Sequence, residues 1–209
     1  MNVDEFEFLG QAVGKHAEVV FDVGAKYGRY TGQFLRLFPG ATVYAVDCAP
    51  QAIARLERDF GDHMRVKIVP EAFLDTVGSI EFHLCQMSGS SGVHPITDLF
   101  AQETCDLGTV KVPATTLDLF CDLNDIRTID LLKIDTEGSD LDVLRGARSM
   151  LVQKRIKAVH VEMLFFPYYV DQCWYYEVAK CLVEWGFALK AMWPTYWGGR
   201  LRYAQAYFD

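Results

Sequence analysis

The sequence predicts a doubly wound α/β fold: a mostly parallel sheet with helices on both faces. Three observations predict it. Short apolar runs rich in β-branched residues alternate along the chain with segments of helical period. Residues 18–22 form one such run, and Gly24, Gly28 and a helical pattern follow it at once, which makes a strand, a glycine turn and a helix. Asp22, Asp47, Asp135 and Glu162 each sit at the end of a run, so one edge of the sheet collects acid, where open α/β sheets bind their ligands.

Taken in order, residues 3–13 read as a short amphipathic helix ahead of the first strand, within an N-terminal segment 1–17. After the glycine turn, Tyr27, Tyr30, Phe34, Leu37 and Phe38 share one helical face. The second strand, 42–46, ends in Asp47. Pro50 suits the first turn of the next helix, which turns Ala52, Ile53, Leu56 and Phe60 inward and closes at Gly61. The third strand, 65–69, alternates charged and apolar residues as a sheet edge does.

Residues 74–128 are too long for a plain crossover and read as an insertion placed to cover the site as a lid, or as a surface excursion. The insertion holds an alternating piece (Ile80, Phe82, Leu84), the Ser88–Gly92 loop and a helix begun by Thr115 or Thr116. The fourth strand, 129–135, is the central one. Its helix carries Asp140 and Asp142 early and Arg145 and Arg148 late, with Leu141, Leu144, Ala147 and Leu151 inward. A fifth strand spans 157–163. Asp171 is the expected cap of a helix whose Trp174, Val178, Cys181, Leu182 and Trp185 form the buried stripe. The last two strands, 187–192 and 202–208, are expected to run antiparallel about a loop at 193–199.

Composition bounds the function. With 209 residues, 51% hydrophobic and 23% charged, the chain is one ordinary globular domain. A net charge of -8 argues against a nucleic-acid partner, since such binding relies on neutralising phosphates. No apolar run reaches membrane-spanning length and the start of the chain lacks a signal-peptide pattern. Six cysteines without a C-x-x-C pair read as reduced thiols of a cytoplasmic protein.

The glycine turn narrows the ligand. A pyrophosphate loop reads G-x-G-x-x-G, and here Lys26 takes the middle glycine's place. An acid at the mouth of such a turn suits a ligand with positive charge and no phosphate, of which S-adenosylmethionine is one. Gly24, Ala25, Lys26, Tyr27 and Gly28 would then form its loop, with Asp22 beneath. Asp47, about twenty positions beyond Gly28, is placed to accept ribose hydroxyls, with Cys48 beside it. Glu71, Ala72 and Phe73, just past the third strand, fall where an adenine needs a polar edge and an apolar sandwich.

Strand alternation sorts the later acids. Lys133 and Asp135 share a face of the fourth strand, and His160 and Glu162 share one of the fifth. A buried ammonium needs a partner, and Glu162 is the expected one, which makes it an orienting carboxylate. Asp135 is the first candidate for the base or the acceptor-orienting group, and His160 is either the second or a hydrogen-bonded core histidine. The same groups with Glu137 allow a magnesium site, although a carboxylate before Gly138 is also favoured by the helix start alone. No metal ligand is assigned. Rings after the fifth strand (Phe165, Phe166, Tyr168, Tyr169) and before the last (Trp193, Tyr196, Trp197) suit a sugar or aromatic acceptor, or pack together.

The chain resembles FkbM-type S-adenosylmethionine-dependent methyltransferases over nearly its whole length. The matching strings are 22–28, 43–47, 112–118, 158–162 and above all Leu131-Leu-Lys-Ile-Asp-Thr-Glu-Gly138 with its continuation to Gly146. The resemblance implies a Rossmann-like class I fold with a seven-stranded sheet and a reversed last strand. It implies methyl transfer to a hydroxyl, often of a sugar, glycan or secondary metabolite. Asparagine commonly stands in the family where this chain has Lys26. An NAD-dependent oxidoreductase and a non-catalytic cofactor-binding module that regulates a partner are the alternatives.

Overall fold

The computed structural model describes residues 4–209. Helix α1 (Glu5–Val13) is capped by Asp4, whose carboxylate accepts from the Phe6 and Glu7 amides; Val3, expected in this helix, lies outside the described residues. Strand β1 (Val19–Val23) leads through the glycine turn to α2 (Arg29–Leu37), and β2 (Thr42–Val46) to α3 (Pro50–Phe60) with Pro50 in its first turn. Then come β3 (Val66–Val69), β4 (Ala72–Phe73), β5 (Gly78–Cys85) and β6 (Asp106–Thr115). Helix α4 (Leu117–Leu123) starts at Thr116, whose hydroxyl accepts from the Leu119 amide. Strand β7 (Leu131–Ile134), α5 (Asp140–Gly146), α6 (Arg148–Val152), β8 (Val159–Leu164), α7 (Tyr175–Glu184), β9 (Leu189–Trp197) and β10 (Arg200–Phe208) complete the order.

The main sheet has the strand order β3-β2-β1-β7-β8-β10-β9. All its neighbours up to β8 pair in parallel, and β10 runs antiparallel between β8 and β9. This is the seven-stranded sheet with a reversed last strand that the sequence led us to expect. Two apolar layers cover it. Phe34 of α2, Phe38 just after it and Leu9 of α1 pack on Val20, Val43 and Leu131, while α4 to α7 pack on Phe21, Leu132, Val159 and Phe208. Helix α3 adds Leu56 against Ala45 and Val66 on the α2 side.

Strands β4, β6 and β5 form a second, three-stranded sheet, so the alternating piece at Ile80 to Leu84 pairs with β6. Three expectations are corrected. The helix after β7 breaks at Ala147. Gly146 lies so close to the Leu74 carbonyl that a Cβ would stand 1.9 Å from it, and the Ser149 and Met150 amides turn aside to the Asp118 carboxylate. Helix α7 is capped at Trp174 and not at Asp171; the Glu177 carboxylate accepts from the Trp174 amide at 2.9 Å, and Asp171 sits in a left-handed turn at φ 57°. Finally, β9 runs on to Trp197 and turns at Gly198–Gly199, so Trp193, Tyr196 and Trp197 belong to a strand and not to a loop.

Candidate active site

Three tight backbone turns at the carboxyl ends of β1, β2 and β7 build the site. Gly24 has φ 74°, and a Cβ there would stand 1.8 Å from the Asp135 carbonyl oxygen, so only glycine lets the β1 and β7 ends approach this closely. Lys26 also adopts a left-handed conformation, φ 51°. That turns its amide onto Asp47, whose Oδ2 accepts it at 2.7 Å while Oδ1 accepts from the Ala49 amide at 2.9 Å. A phosphate-binding loop needs that amide free, and here it is used. At the β7 end, Glu137 (φ 55°) and Gly138 (φ 97°) make the turn into α5.

Between these turns lies an open cleft of about 820 Å³, counted with the solvent at its mouth. Gly24, Lys26, Tyr27, Asp47 and Cys48 line one wall, and Glu71, Ala72 and Phe73 the back. Asp135, Thr136, Glu137 and Ser139 line the other wall, and Phe82, Gly89, Ser91 and Val93 of the second sheet and its loop line the cover. The Lys26 ammonium crosses the mouth to Gly89, where a Cβ would meet Nζ at 1.9 Å. Its positive charge also steadies Glu137.

Acid charge is crowded here. Burial and the neighbouring Asp135 push Glu137 up to about 8 and Asp140 up to about 7. Burial also raises Asp47, against the backbone bonds it accepts. Tyr169 donates its hydroxyl hydrogen to Glu137 Oε2. A donor set this acidic, with an apolar back wall, fits a ligand with cationic and flat apolar parts, S-adenosylmethionine among them.

Under the cleft, on the α1 and α2 side of the sheet, runs a buried polar row. Lys133 Nζ lies 3.1 Å from Asp22 Oδ1 and 3.8 Å from Asp135 Oδ2, and donates to the Gly24 carbonyl at 2.9 Å. Asp22 Oδ2 accepts from the Thr31 hydroxyl at 2.6 Å. Glu5 Oε1 accepts from the Tyr30 hydroxyl at 2.5 Å and lies 3.1 Å from His160 Nε2.

A family model described as the methyltransferase FkbM domain matches residues 22–189. The chain belongs to this family. Among curated proteins it is similar to the 2-O-methyltransferase NoeI of Sinorhizobium fredii, 27% identical over 66% of this chain and 60% of that one. It is also similar to Methyltransferase 1 of Beauveria bassiana, 26% identical over 61% of this chain and 57% of that one. The chain thus spans about three fifths of the length of the curated relatives it matches. Among solved structures, an rRNA methylase from Streptococcus thermophilus matches with a TM-score of 0.55 at 10% identity, covering 100% of this chain and 98% of that one. A SAM-dependent methyltransferase from Leishmania major matches with 0.53 at 11%, covering 97% and 68%. The fold is therefore the Rossmann-like one of the methyltransferases.

On this FkbM domain the expected residues divide. Gly24, Lys26, Tyr27, Asp47, Cys48, Glu71, Ala72, Phe73 and Asp135 come together in the cleft wall. Tyr27 was expected on the buried face of α2; that helix starts only at Arg29, and Tyr27 turns outward to the cleft. Asp22, Ala25 and Gly28 stand behind the wall: Asp22 is held by Lys133 and Thr31, Ala25 packs with Leu56, and Gly28 abuts the Phe60 ring. Glu162 is not the ion partner of Lys133. The register sets Lys133 between Asp22 and His160, and Asp22 takes the ammonium.

His160 is fully buried among Glu5, Tyr30 and Trp193. Trp193 packs edge-on against Phe8 and pairs with Gln205, away from the cleft wall. Tyr168 packs against Phe100 and Phe166, while Tyr196 and Trp197 are 63% and 65% exposed near the hairpin turn. Among the described residues no three acids, histidines or cysteines converge to hold a metal ion, and no helix is long and apolar enough to cross a membrane. All six cysteines are free.

Sequence reasoning missed Thr136 and Ser139, which lie inside the matched string and read there only as a helix start. It missed Gln205, a polar residue set between two alanines in a buried strand, which was a usable signal. It also missed Glu5, for which no local signal exists.

Proposed function

We propose that the domain uses S-adenosylmethionine to methylate a hydroxyl of a sugar, glycan or secondary metabolite. The observation that carries this reading is the cleft itself: a glycine turn with its Lys26 amide taken by Asp47, facing the acids Asp135 and Glu137. The 2-O-methyltransferase name of one relative favours oxygen as the acceptor atom. The residues present fit the methyl donor. Ala72, Phe73, Phe82 and Val93 would sandwich its adenine, Asp47 would take the ribose hydroxyls, and Asp135 and Glu137 would face its cationic end. When bound, that group supplies an already electrophilic methyl on a sulfonium.

The chain's task is then alignment, which contributes roughly 7–11 kcal/mol when reacting groups are well oriented. Asp135, at the end of the central strand, orients the acceptor hydroxyl and takes its proton, a step worth about 10²–10⁴-fold. Tyr168, with the hairpin rings Tyr196 and Trp197, is the proposed acceptor wall, and the second sheet the lid.

Calorimetry with S-adenosylhomocysteine, combined with transfer of labelled methyl to a panel of sugars and phenols, tests the reading. Asp47→Ala is expected to act mainly on affinity for S-adenosylhomocysteine, and Asp135→Ala on both affinity and turnover. Unchanged affinity and rate in both variants rejects the assignment of the cleft.

A further inference from the structure

Asp135, Glu162 and Gln205 lie at one level of three neighbouring strands. Ile134 pairs with Val161, which sets Asp135 beside Glu162, and Glu162 pairs directly with Gln205 across the antiparallel β8–β10 ladder. Paired side chains on one face of a ladder stand about 5 Å apart at Cβ. Both are deeply buried, each with 7% of its surface exposed. The Gln205 amide reaches toward Asp135 Oδ2 at 3.5 Å, a long contact that uses one of its two hydrogens. Its carbonyl oxygen Oε1 is left buried without a donor, and so is Glu162 Oε2.

Two buried acceptors on facing side chains are costly unless one carries hydrogen, and a carboxylic acid can donate where a carboxylate cannot. The surroundings select Glu162 as the acid. Asp135 at the end of β7, Glu137 in the following turn and Asp140 in α5 all oppose a further negative charge there. The Lys133 ammonium favours one, but it lies at 3.1 Å from Asp22. Tyr168 and Tyr169 approach from the loop after β8, both with burial holding their hydroxyls un-ionised. On β10, the Arg202 guanidinium is held by Glu103 at 3.1 Å and stacks on Phe166. His160, on β8 with Glu162, faces Glu5.

We propose that Glu162 keeps its proton in the resting protein and donates it to the Gln205 carbonyl, which aims the Gln205 amide at Asp135. Glu162 and Gln205 are thus positioning residues that act on Asp135. The purpose of this chain rests on the methyl-transfer reading, whereas its hydrogen bonds do not. Burial and the three neighbouring acids hold Glu162 well above the ordinary carboxylate range, in keeping with this arrangement.

The test is carbon-13 NMR of the full chain, first alone and then with S-adenosylhomocysteine, the Glu162 carboxyl being assigned through its own bonds. Its carbon is expected at the protonated position at neutral pH, while the bulk of the glutamates are ionised. The Gln205 carboxamide protons are expected to exchange slowly in the wild type and in Glu162→Gln, and to lose that protection in Glu162→Ala. An ionised Glu162 at neutral pH overturns the proposal, and so does a Gln205 signal indifferent to Glu162→Ala. Calorimetry on the same samples keeps the two readings apart, because absent S-adenosylhomocysteine heat counts against the cofactor cleft alone.

Discussion

Lys133 is the residue on which the buried row turns. Its side chain is 2% exposed, and its ammonium satisfies Asp22, the Val23 and Gly24 carbonyls and, at longer range, Asp135. Burial alone would drive its charge off, yet the two carboxylates outweigh burial and hold the ammonium charged. Lys133→Met leaves Asp22 as a fully buried, unpaired carboxylate, which is expected to cost about 3–5 kcal/mol in urea unfolding. Adding Asp22→Asn is expected to recover part of that loss, because the orphaned charge goes with it. Asp140 gives the opposite case. Its folded-state value is raised to about 7 from 3.8, so the folded chain binds a proton that the unfolded chain has released. Its contribution is intact below 3.8 and is lost as pH rises toward about 7. Asp140→Asn should flatten the fall in urea midpoint over that window, and an unchanged slope rejects the assignment.

Elements divide into those that declare themselves locally and those that do not. Pro50 at the start of α3 and Thr116 before α4 were legible because their roles play out within one turn, and β1, β2 and β7 because each apolar run shows in its own residues. The break between α5 and α6 was not, since it depends on the Leu74 carbonyl and the Asp118 carboxylate from distant segments. The same holds for the site: the acids at strand ends were readable, but the choice of Asp22 over Glu162 as partner for Lys133 needed the strand register. Helix α1 is the clearest nonlocal case, because Glu5 ties it to Tyr30 of α2 and His160 of β8. Burial works against an ionised Glu5, but the His160 and Tyr30 contacts outweigh it and its value falls below 4.5. A lowered acid stabilises above its unfolded value and loses that contribution as pH falls through the folded one. Hydrogen exchange along α1, taken relative to the intrinsic rate at each pH, is therefore expected to quicken below about pH 4 in the wild type. In Glu5→Gln it should be faster already at neutral pH and lack that step, and identical profiles in the two proteins reject the clasp.

At the scale of the whole molecule, two sheets meet at one seam. The main sheet presents Gly24, Asp47 and Asp135 at its carboxyl edge, and the smaller sheet supplies Phe82 and the loop with Ser91 and Val93. Few direct bonds close the mouth: the Lys26 ammonium reaches Gly89, and Tyr169 bonds Glu137 while pairing with Ile96. A ligand in this seam touches both sheets, so its binding energy adds to the cohesion between them and to the stability of the folded chain. At a hundredfold its dissociation constant, S-adenosylhomocysteine adds about 2.7 kcal/mol. For a chain of 209 residues, each kcal/mol moves the melting temperature by about 2–4 °C, so the expected rise is roughly 5–10 °C. NAD should leave the melt unmoved, because the Lys26 amide that a pyrophosphate needs is already bonded to Asp47. Asp47→Ala frees that amide and removes the carboxylate, and is expected to shrink the rise with S-adenosylhomocysteine. A melting temperature that ignores S-adenosylhomocysteine, or rises equally with NAD, rejects the seam as the binding site of the methyl donor.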